Sequence, residues 1–422
     1  MYNISIDDDS MFTLRPHQQR TVDALRSNER GTVYIPTGGG KTLCMINDVI
    51  NHLDTATEPQ TIVVVAPRIM LAIQLCEEFM EQVKNANVLH VHSGETKHFK
   101  TTKSDRINLF NRMCHHVGEH VIVFSTYNSL HRIVDAGIKI NALYCDEAHN
   151  SVQRNFFPVV ALAAVDADRA FFFTATPKFA KNGKRGMNNA QIYGNNLITV
   201  AAQELIECGS IIPPTVKVTE LPYERKKETV ALTDANTVTT VVDSLDENVA
   251  QKVLVAAPSA RIIKHMFANS LVLADLYERG YSVMSITSKD GAIIDGKKVT
   301  RDEFFNTLHA WGLDPNKNFV LFHYSILSEG INVPGLTHVI LLRQLPVIEM
   351  AQTIGRVIRL DRQDAQRISS GALRPTCYAN YIKPTGFVTV PVYQNTGRQI
   401  SNRLQRVVDC VFTKGMPATS WV

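Results

Sequence analysis

The 422-residue sequence contains no Cys-x-x-Cys pair. Its seven cysteines (Cys44, Cys76, Cys114, Cys145, Cys208, Cys377 and Cys410) are scattered and odd in number. That usage fits a reducing compartment and argues against a zinc site or an iron–sulfur cluster. No apolar run is long enough to span a bilayer, and the first residues carry no basic, apolar leader. A cytoplasmic chain with no membrane partner is expected. Excess charge is also small: 44 Lys and Arg against 40 Asp and Glu leave +4, which permits a local nucleic-acid patch without arguing for one. There is no tandem short repeat. What is present is an ordinary globular composition, 45% hydrophobic and 20% charged, long enough for two or three domains.

The stretch Gly31-Thr-Val-Tyr-Ile-Pro-Thr-Gly-Gly-Gly-Lys-Thr42 organises the chain. A β-branched and aromatic run breaks at Pro36, turns through Gly38, Gly39 and Gly40, and enters an apolar-periodic segment that reads as a helix. Strand, glycine turn, Lys-Thr and helix make the context of a phosphate-binding loop. Glycines let backbone N–H groups converge on phosphate oxygens, and the helix N-terminus adds its positive end. Thr37 to Thr42 would form the cradle of an ATP site, Lys41 would reach the β- and γ-phosphates, and the Thr42 hydroxyl would ligate Mg²⁺. Ile35 stands where the full pattern opens with glycine.

Upstream, residues 12–28 read as a helix with Pro16 in its first turn. There Gln18 or Gln19 reads the base edge of the nucleotide, or else both belong to a solvated helix start. Four apolar runs of strand length follow at 61–68, 121–130, 142–149 and 169–177. Unbroken runs of this kind belong to parallel strands covered on both faces, and α/β sheets place ligand contacts at their carboxyl ends. At those ends stand Arg68, Thr126 with Tyr127, Asp146-Glu147-Ala148-His149, and Thr174 with Thr176. Asp146 would hold Mg²⁺ and Glu147 would orient the attacking water; Thr174 and Thr176 can relay hydrogen bonds from the carboxylate tip. Arg68 reads as a nucleic-acid phosphate contact or a solvated arginine. His90 and His92, in the polar stretch 90–106, read as a solvated loop and helix face rather than a metal pair. Lys178 to Asn189 reads as a flexible basic loop.

Gly209 and Pro213-Pro214 mark a boundary. The expected division is a first domain over 1–212, a connector over 213–248, a second α/β domain over 249–375 and a basic extension over 376–422. Strands are expected at 252–258, 281–287, 318–323 and 337–342, with helices over 262–277 and 301–309. Pro391 suggests that 388–393 is an edge strand, and 399–412 looks helical. In Glu349 to Arg359, Gln352, Arg356 and Arg359 recur at helical intervals among apolar residues. Buried arginines need an anionic partner, and a triphosphate on the other domain would supply one.

The ordered set Pro-Thr-Gly-Gly-Gly-Lys-Thr42, Ala-Pro-Arg68, Ser-Thr-Tyr127, Asp-Glu-Ala-His149, Thr-Ala-Thr-Pro177, Ser-Glu-Gly-Ile-Asn-Val-Pro334 and Gln-Thr-Ile-Gly-Arg-Val-Ile-Arg359 resembles superfamily two helicases with a DEAH box. The resemblance spans residues 12–362 and is nearest to compact helicases of phages and DNA viruses and to helicase subunits of restriction systems. It implies an α/β fold of two tandem RecA-like domains with parallel sheets and a short C-terminal extension, facing each other across ATP and Mg²⁺. Arg359 matches an arginine finger and Arg356 a second γ-phosphate contact. Gln352, His149, Thr174, Thr176 and the turn holding Gly330 and Asn332 would couple nucleotide to strand. Arg68, Thr126 and Tyr127 match positions that grip a nucleic-acid backbone. Asparagine stands at 332 where the family usually has aspartate. The implied activity is an ATP-dependent helicase or translocase, with DNA favoured over RNA. A duplex translocase without strand separation and an RNA helicase are the alternatives. No nuclease constellation is visible in the sequence, so a replication, recombination or nuclease protein would be a separate partner, in the host cytoplasm if the source is viral.

Overall fold

The computed structural model describes residues 14–246, 249–287, 289–324, 333–413 and 415–421. β-Branched and aromatic runs build the first sheet from β1 (Arg30–Tyr34), β2 (Thr61–Ala66), β3 (Ala86–Val91) and β4 (Phe99–Lys100). They are joined by β5 (His120–Thr126), β6 (Ala142–Cys145), β7 (Arg169–Thr174) and, beyond the short β8 (Lys178–Phe179), β9 (Asn195–Thr199). The order is β4-β3-β5-β2-β6-β7-β1-β9, parallel throughout. Side chains alternate across each strand, so Ile62 and Val64 join one apolar cluster and Val63 and Val65 the other. Helices α1 (Pro16–Arg26), α2 (Lys41–Asp54) and α3 (Ile69–Gln82) cover the first face. Helices α4 (Ser104–His116), α5 (Leu130–Asp135) and α6 (Phe157–Asp166) cover the second, followed by α7 (Ala190–Tyr193) and α8 (Ala202–Glu207).

The second sheet contains β10 (Pro214–Leu221), β11 (Lys252–Ala256), β12 (Ser282–Thr287), β13 (Gly291–Ile294), β14 (Lys297–Val299), β15 (Phe319–His323), β16 (His338–Leu341) and β17 (Gly386–Tyr393). Its order is β10-β17-β16-β11-β15-β12-β13-β14, parallel except for the antiparallel β12-β13-β14 edge. The helices of this half are α9 (Val230–Asp243), α10 (Ala260–Asn269), α11 (Val272–Glu278), α12 (Arg301–Leu313), α13 (Val347–Val357), α14 (Arg362–Ser369) and α15 (Gln399–Val408). The chain then returns to the first domain, where β18 (Ser420–Trp421) pairs with β8. The protein thus folds as two RecA-like domains in tandem.

Several expectations need correction. Residues 213–248 are not a mere connector, because β10 pairs with β17 over eight residues and α9 packs beneath the same sheet. Nor is 376–422 a separate extension, since β17 is inside the second sheet and β18 pairs with β8 of the first domain. Pro391 falls where β16 has ended: β16 pairs only with residues 387–389, and beyond them β17 keeps a single neighbour. The missing N–H therefore breaks no ladder on that side. The helix expected over 262–277 is two, because Ser270 turns extended. Its hydroxyl donates to Met266 O at 2.6 Å, and Val272 N donates back to it at 3.3 Å. His90 and His92 are buried rather than solvated, with His90 on the strand β3. The stretch 178–189 begins as β8, which pairs with β18.

Candidate active site between the two domains

β1 runs straight into the glycine turn, with Ile35 N donating to Thr174 O at 3.1 Å, and α2 starts at Lys41. Gly40 closes the turn at φ +79°, a conformation that costs a residue with a Cβ. The Gln18 amide packs so closely on Gly40 that a Cβ would lie 2.2 Å from its nitrogen. His17 Nε2 donates to Gly39 O at 2.9 Å, and Gln18 Nε2 points at the same carbonyl at 3.4 Å. Gln18 Oε1 accepts from Arg15 N at 2.9 Å. The buried Gln18 is thus spent on holding the phosphate loop and the start of α1, not extended toward a base. Gln19 is exposed and bonds to Asp23.

The carboxylates stand at the tip of β6. Asp146 N donates to Val65 O at 2.8 Å, which locks the tip to β2. Burial and the adjacent Glu147 carboxylate push the Asp146 acid up, against the pull of Lys41. Glu147 sits in the left-handed region at φ 45°, a strained state for a non-glycine residue of the kind that gathers at functional sites. Its side chain lies beside His149, with Oε2 3.5 Å from Nδ1. Asn150 fixes that ring: Gln153 donates to its Oδ1 at 2.7 Å, so its Nδ2 donates to Glu147 O and to His149 Nε2. The His149 proton therefore lies on Nδ1 and goes to Thr174 Oγ1 at 2.9 Å, with Thr176 Oγ1 at 3.4 Å. His149, Thr174 and Thr176 form one buried hydrogen-bonded set, and the Glu147 carboxylate lies beside it with Oε2 lacking a hydrogen-bond partner among the described residues.

The second domain meets this tip. Gly355 in α13 lies so close to Thr37 that a Cβ would stand 2.7 Å from the threonine Cβ, so only glycine allows this approach. Ile212 N donates to Ile358 O at 2.9 Å, and Ile211 bridges Arg359. A cavity of about 370 Å³ remains between the domains, within the range of small-ligand sites. Thr37, Gly38, Gly40, Lys41, Thr42, Asp146 and Glu147 line one side, and Gln352, Arg356 and Arg359 the other. Burial lowers the Arg359 guanidinium, with Glu78 opposing. The Gln352 Nε2 donor is buried and has no hydrogen-bond partner among the described residues. Such a set of donors on one side and carboxylates on the other can hold a triphosphate.

Not every site residue expected from sequence reaches the cavity. Tyr127 cannot grip a strand, because its buried hydroxyl donates to Asp146 O at 2.8 Å and it braces the carboxylate tip instead. Thr126 is buried, with its hydroxyl donating to Ser129 Oγ at 3.3 Å. Arg68 is half-buried at the start of α3. Gly330 and Asn332 lie outside the described residues. Conversely, Leu71, Gln74, Leu75 and Glu78 of α3, with Ser210, line the cavity without having been expected there. Gln74 Nε2 donates to Glu78 Oε1 at 2.8 Å. Their i, i+4 spacing on a helix that follows a ligand-bearing strand tip was the available signal.

Comparison with known proteins agrees with this geometry. The family model "Type III restriction enzyme, res subunit" matches residues 11–179, and "Helicase conserved C-terminal domain" matches residues 236–361. The chain is similar to the ATP-dependent Type ISP restriction-modification enzyme LlaBIII bound to DNA, at 14% identity and a TM-score of 0.69. That likeness covers 97% of this chain but only 31% of the enzyme. A variant of S. cerevisiae Dbp5 bound to RNA and ADP BeF3 is similar at 17% identity and a TM-score of 0.56, over 96% of this chain and 89% of that one. No curated protein sequence matches the chain. At such identities the structural likeness establishes the fold alone, and the two family models match separate halves of the chain, one in each RecA-like domain.

Proposed function

We propose that the chain is a DEAH-box motor that hydrolyses ATP between its two domains and steps along the phosphate backbone of DNA. The observation that carries this reading is the single cavity lined by Lys41, Thr42, Asp146 and Glu147 from one domain and Gln352, Arg356 and Arg359 from the other. Thr37 to Thr42 cradle the phosphates, and Lys41 neutralises the β- and γ-oxygens. The Thr42 hydroxyl and the Asp146 carboxylate share that cavity wall and have the oxygen chemistry that suits Mg²⁺. Held by Thr42 and Asp146, that ion would supply positive charge to offset the triphosphate's own. Glu147 orients the attacking water and accepts its proton, beside the His149 ring that Thr174 and Thr176 hold in place. Arg359 and Arg356 stabilise the charge developing on the transferred phosphoryl group. Gln352 offers its amide Nε2, without a partner among the described residues, to the same group.

The cycle follows from charge. ATP draws the arginines of the second domain onto its γ-phosphate; hydrolysis and phosphate release remove that anion and loosen the closure. Arg68 and the basic residues Lys178, Lys181, Lys184 and Arg185 are the first domain's contacts to the strand. The DNA reading leans on the restriction-enzyme family model and on the DNA-bound enzyme of the same fold. It also leads us to place the chain with the compact helicases of phages, viruses or restriction systems. The RNA-bound Dbp5 variant, similar over most of its length, favours RNA as the second reading.

The test is ATPase stimulation measured in parallel with single-stranded DNA, duplex DNA, branched DNA and RNA. Stimulation by DNA that weakens steeply with salt and ignores base sequence is expected. Stimulation by RNA alone overturns the DNA assignment, and a strand-displacement assay then separates unwinding from translocation on a duplex.

A further inference from the structure

Arg359 is useful only if its backbone is held still, and the structure holds it from two directions. From the first domain, Ile211 bridges Arg359 and Ile212 N donates to Ile358 O at 2.9 Å. From the other direction comes Lys383, a residue in the loop before β17 that no motif singles out. Its Nζ donates to Arg359 O at 2.8 Å, and its own N–H donates to Asp364 Oδ2 at 3.1 Å. Asp364 is fully buried and accepts from Arg367, which also donates to Asn380 O, so the loop is tied to α14 at both ends.

A buried ammonium is costly unless something is gained by it. Lys383 is only 7% exposed. Burial brings its ammonium down to about 7, with Arg359 and Lys252 adding to the fall and Asp361 and Asp364 opposing it. It stands beside a like charge, so its value cannot lie in attraction to the Arg359 guanidinium. What it holds is the carbonyl just past the end of α13, where the helix dipole favours a cation. Because that carbonyl belongs to Arg359, fixing it fixes the Cα from which the guanidinium enters the cavity.

Resting on the motor reading above, we infer that Lys383 is a positioning residue for Arg359. It sets the height of the guanidinium in the cavity without touching nucleotide. A shift of about 1 Å in a catalytic group can lower turnover by about a hundredfold while ground-state binding persists.

The experiment compares Lys383→Met, Lys383→Arg, Arg359→Ala and the Lys383→Met/Arg359→Ala double variant, by steady-state ATPase, titration with a fluorescent ATP analogue and thermal melting. Lys383→Met is expected to lower kcat about ten- to hundredfold with KM and analogue affinity within about twofold of the parent. Lys383→Arg, which keeps a donor, is expected to recover part of the loss. In the Arg359→Ala background Lys383→Met should cost nothing further. Inactive Arg359→Ala beside parental kcat in Lys383→Met overturns the inference and leaves the motor reading intact. So does a Lys383→Met variant that loses kcat and analogue affinity in equal measure together with its melting transition, unrescued by Lys383→Arg. Parental turnover in Arg359→Ala overturns the motor reading itself.

Discussion

The first domain offers Lys41, Thr42, Asp146 and Glu147 from the tips of β1 and β6, with β7 between them, whereas the second offers Gln352, Arg356 and Arg359 from one helix and the turn beyond it. In the first, each group is fixed by a partner on the adjacent strand: Asp146 N on Val65 O, Ile35 N on Thr174 O, His149 on Thr174. In the second, Arg359 is fixed by residues far away in sequence, Ile211 and Lys383. A site on strand tips inherits its geometry from the sheet. A site past a helix end needs long-range ties, and its geometry depends on how the domains meet. Each domain also holds an arginine on a fully buried aspartate. Asp48 holds Arg169 at 3.1 Å and accepts from Tyr144; Asp234 holds Arg225 at 2.6 Å.

The contrast can be broken most sharply at the nucleotide. Lys41→Ala and Arg359→Ala should each lower ATP turnover about a thousandfold or more, but only Lys41→Ala should also lose affinity in a nucleotide titration. Equal loss of affinity in both would mean that the second domain grips ATP in the ground state. Next in size, Glu147→Gln should bind ATP normally and hydrolyse it about a hundredfold or more slowly; parental rates would move the water-orienting role elsewhere.

Asp48→Ala and Asp234→Ala should each cost about 3 kcal/mol by leaving a largely buried guanidinium unpaired. Urea unfolding followed by domain-specific probes should show each loss in its own domain first. If both variants melt the two domains together, the domains are one cooperative unit.

The smallest effects come from two buried histidines. In the first domain His92 Nδ1 accepts from Gly94 N, so its Nε2–H donates to His90 Nδ1 at 2.9 Å. In the second domain both His323 ring nitrogens lack any partner among the described residues. His90→Leu should destabilise by about 1–3 kcal/mol because it orphans the His92 donor, whereas His323→Leu should be neutral or slightly stabilising. Burial holds both imidazoles below the usual range, His90 at about 4, with His323 also repelled by Arg356 and Arg343. Below pH 6.5 the unfolded chain binds protons that the folded one refuses. Stability should therefore fall as pH drops from 6.5 toward 4, by up to about 1.4 kcal/mol per pH unit for each histidine. Denaturation midpoints at pH 7, 6 and 5 should show a shallower fall in His323→Leu; an unchanged slope would remove His323 from the account.

The pattern of successes and misses in reading the sequence follows the same division. Phosphate loop, carboxylate tip and Thr174–Thr176 are contiguous stretches whose chemistry and local structure lie within ten residues. β3 escaped because His90 and His92 look solvated when they are in fact paired with each other inside the sheet. β10 escaped because its charged and exposed residues suggested a linker and its strand faces show no clean apolar alternation. The β13–β14 hairpin also escaped, although Asp295-Gly296, both with positive φ, is a hairpin-turn pair. Tyr127 was misassigned because a strand-end aromatic looks alike whether it faces a ligand or braces the tip from below.

By itself the sequence determined the two α/β halves, the phosphate loop and the two sets of opposed charges, because strand period, glycine turns and residue chemistry are local properties. Only the tertiary structure decided that those sets face one cavity, that Glu78 and Gln74 line it, that β10 and β17 complete the second sheet, and that Lys383 holds Arg359. Each of those depends on which distant surfaces bury one another, and burial is a property of the whole fold rather than of any segment.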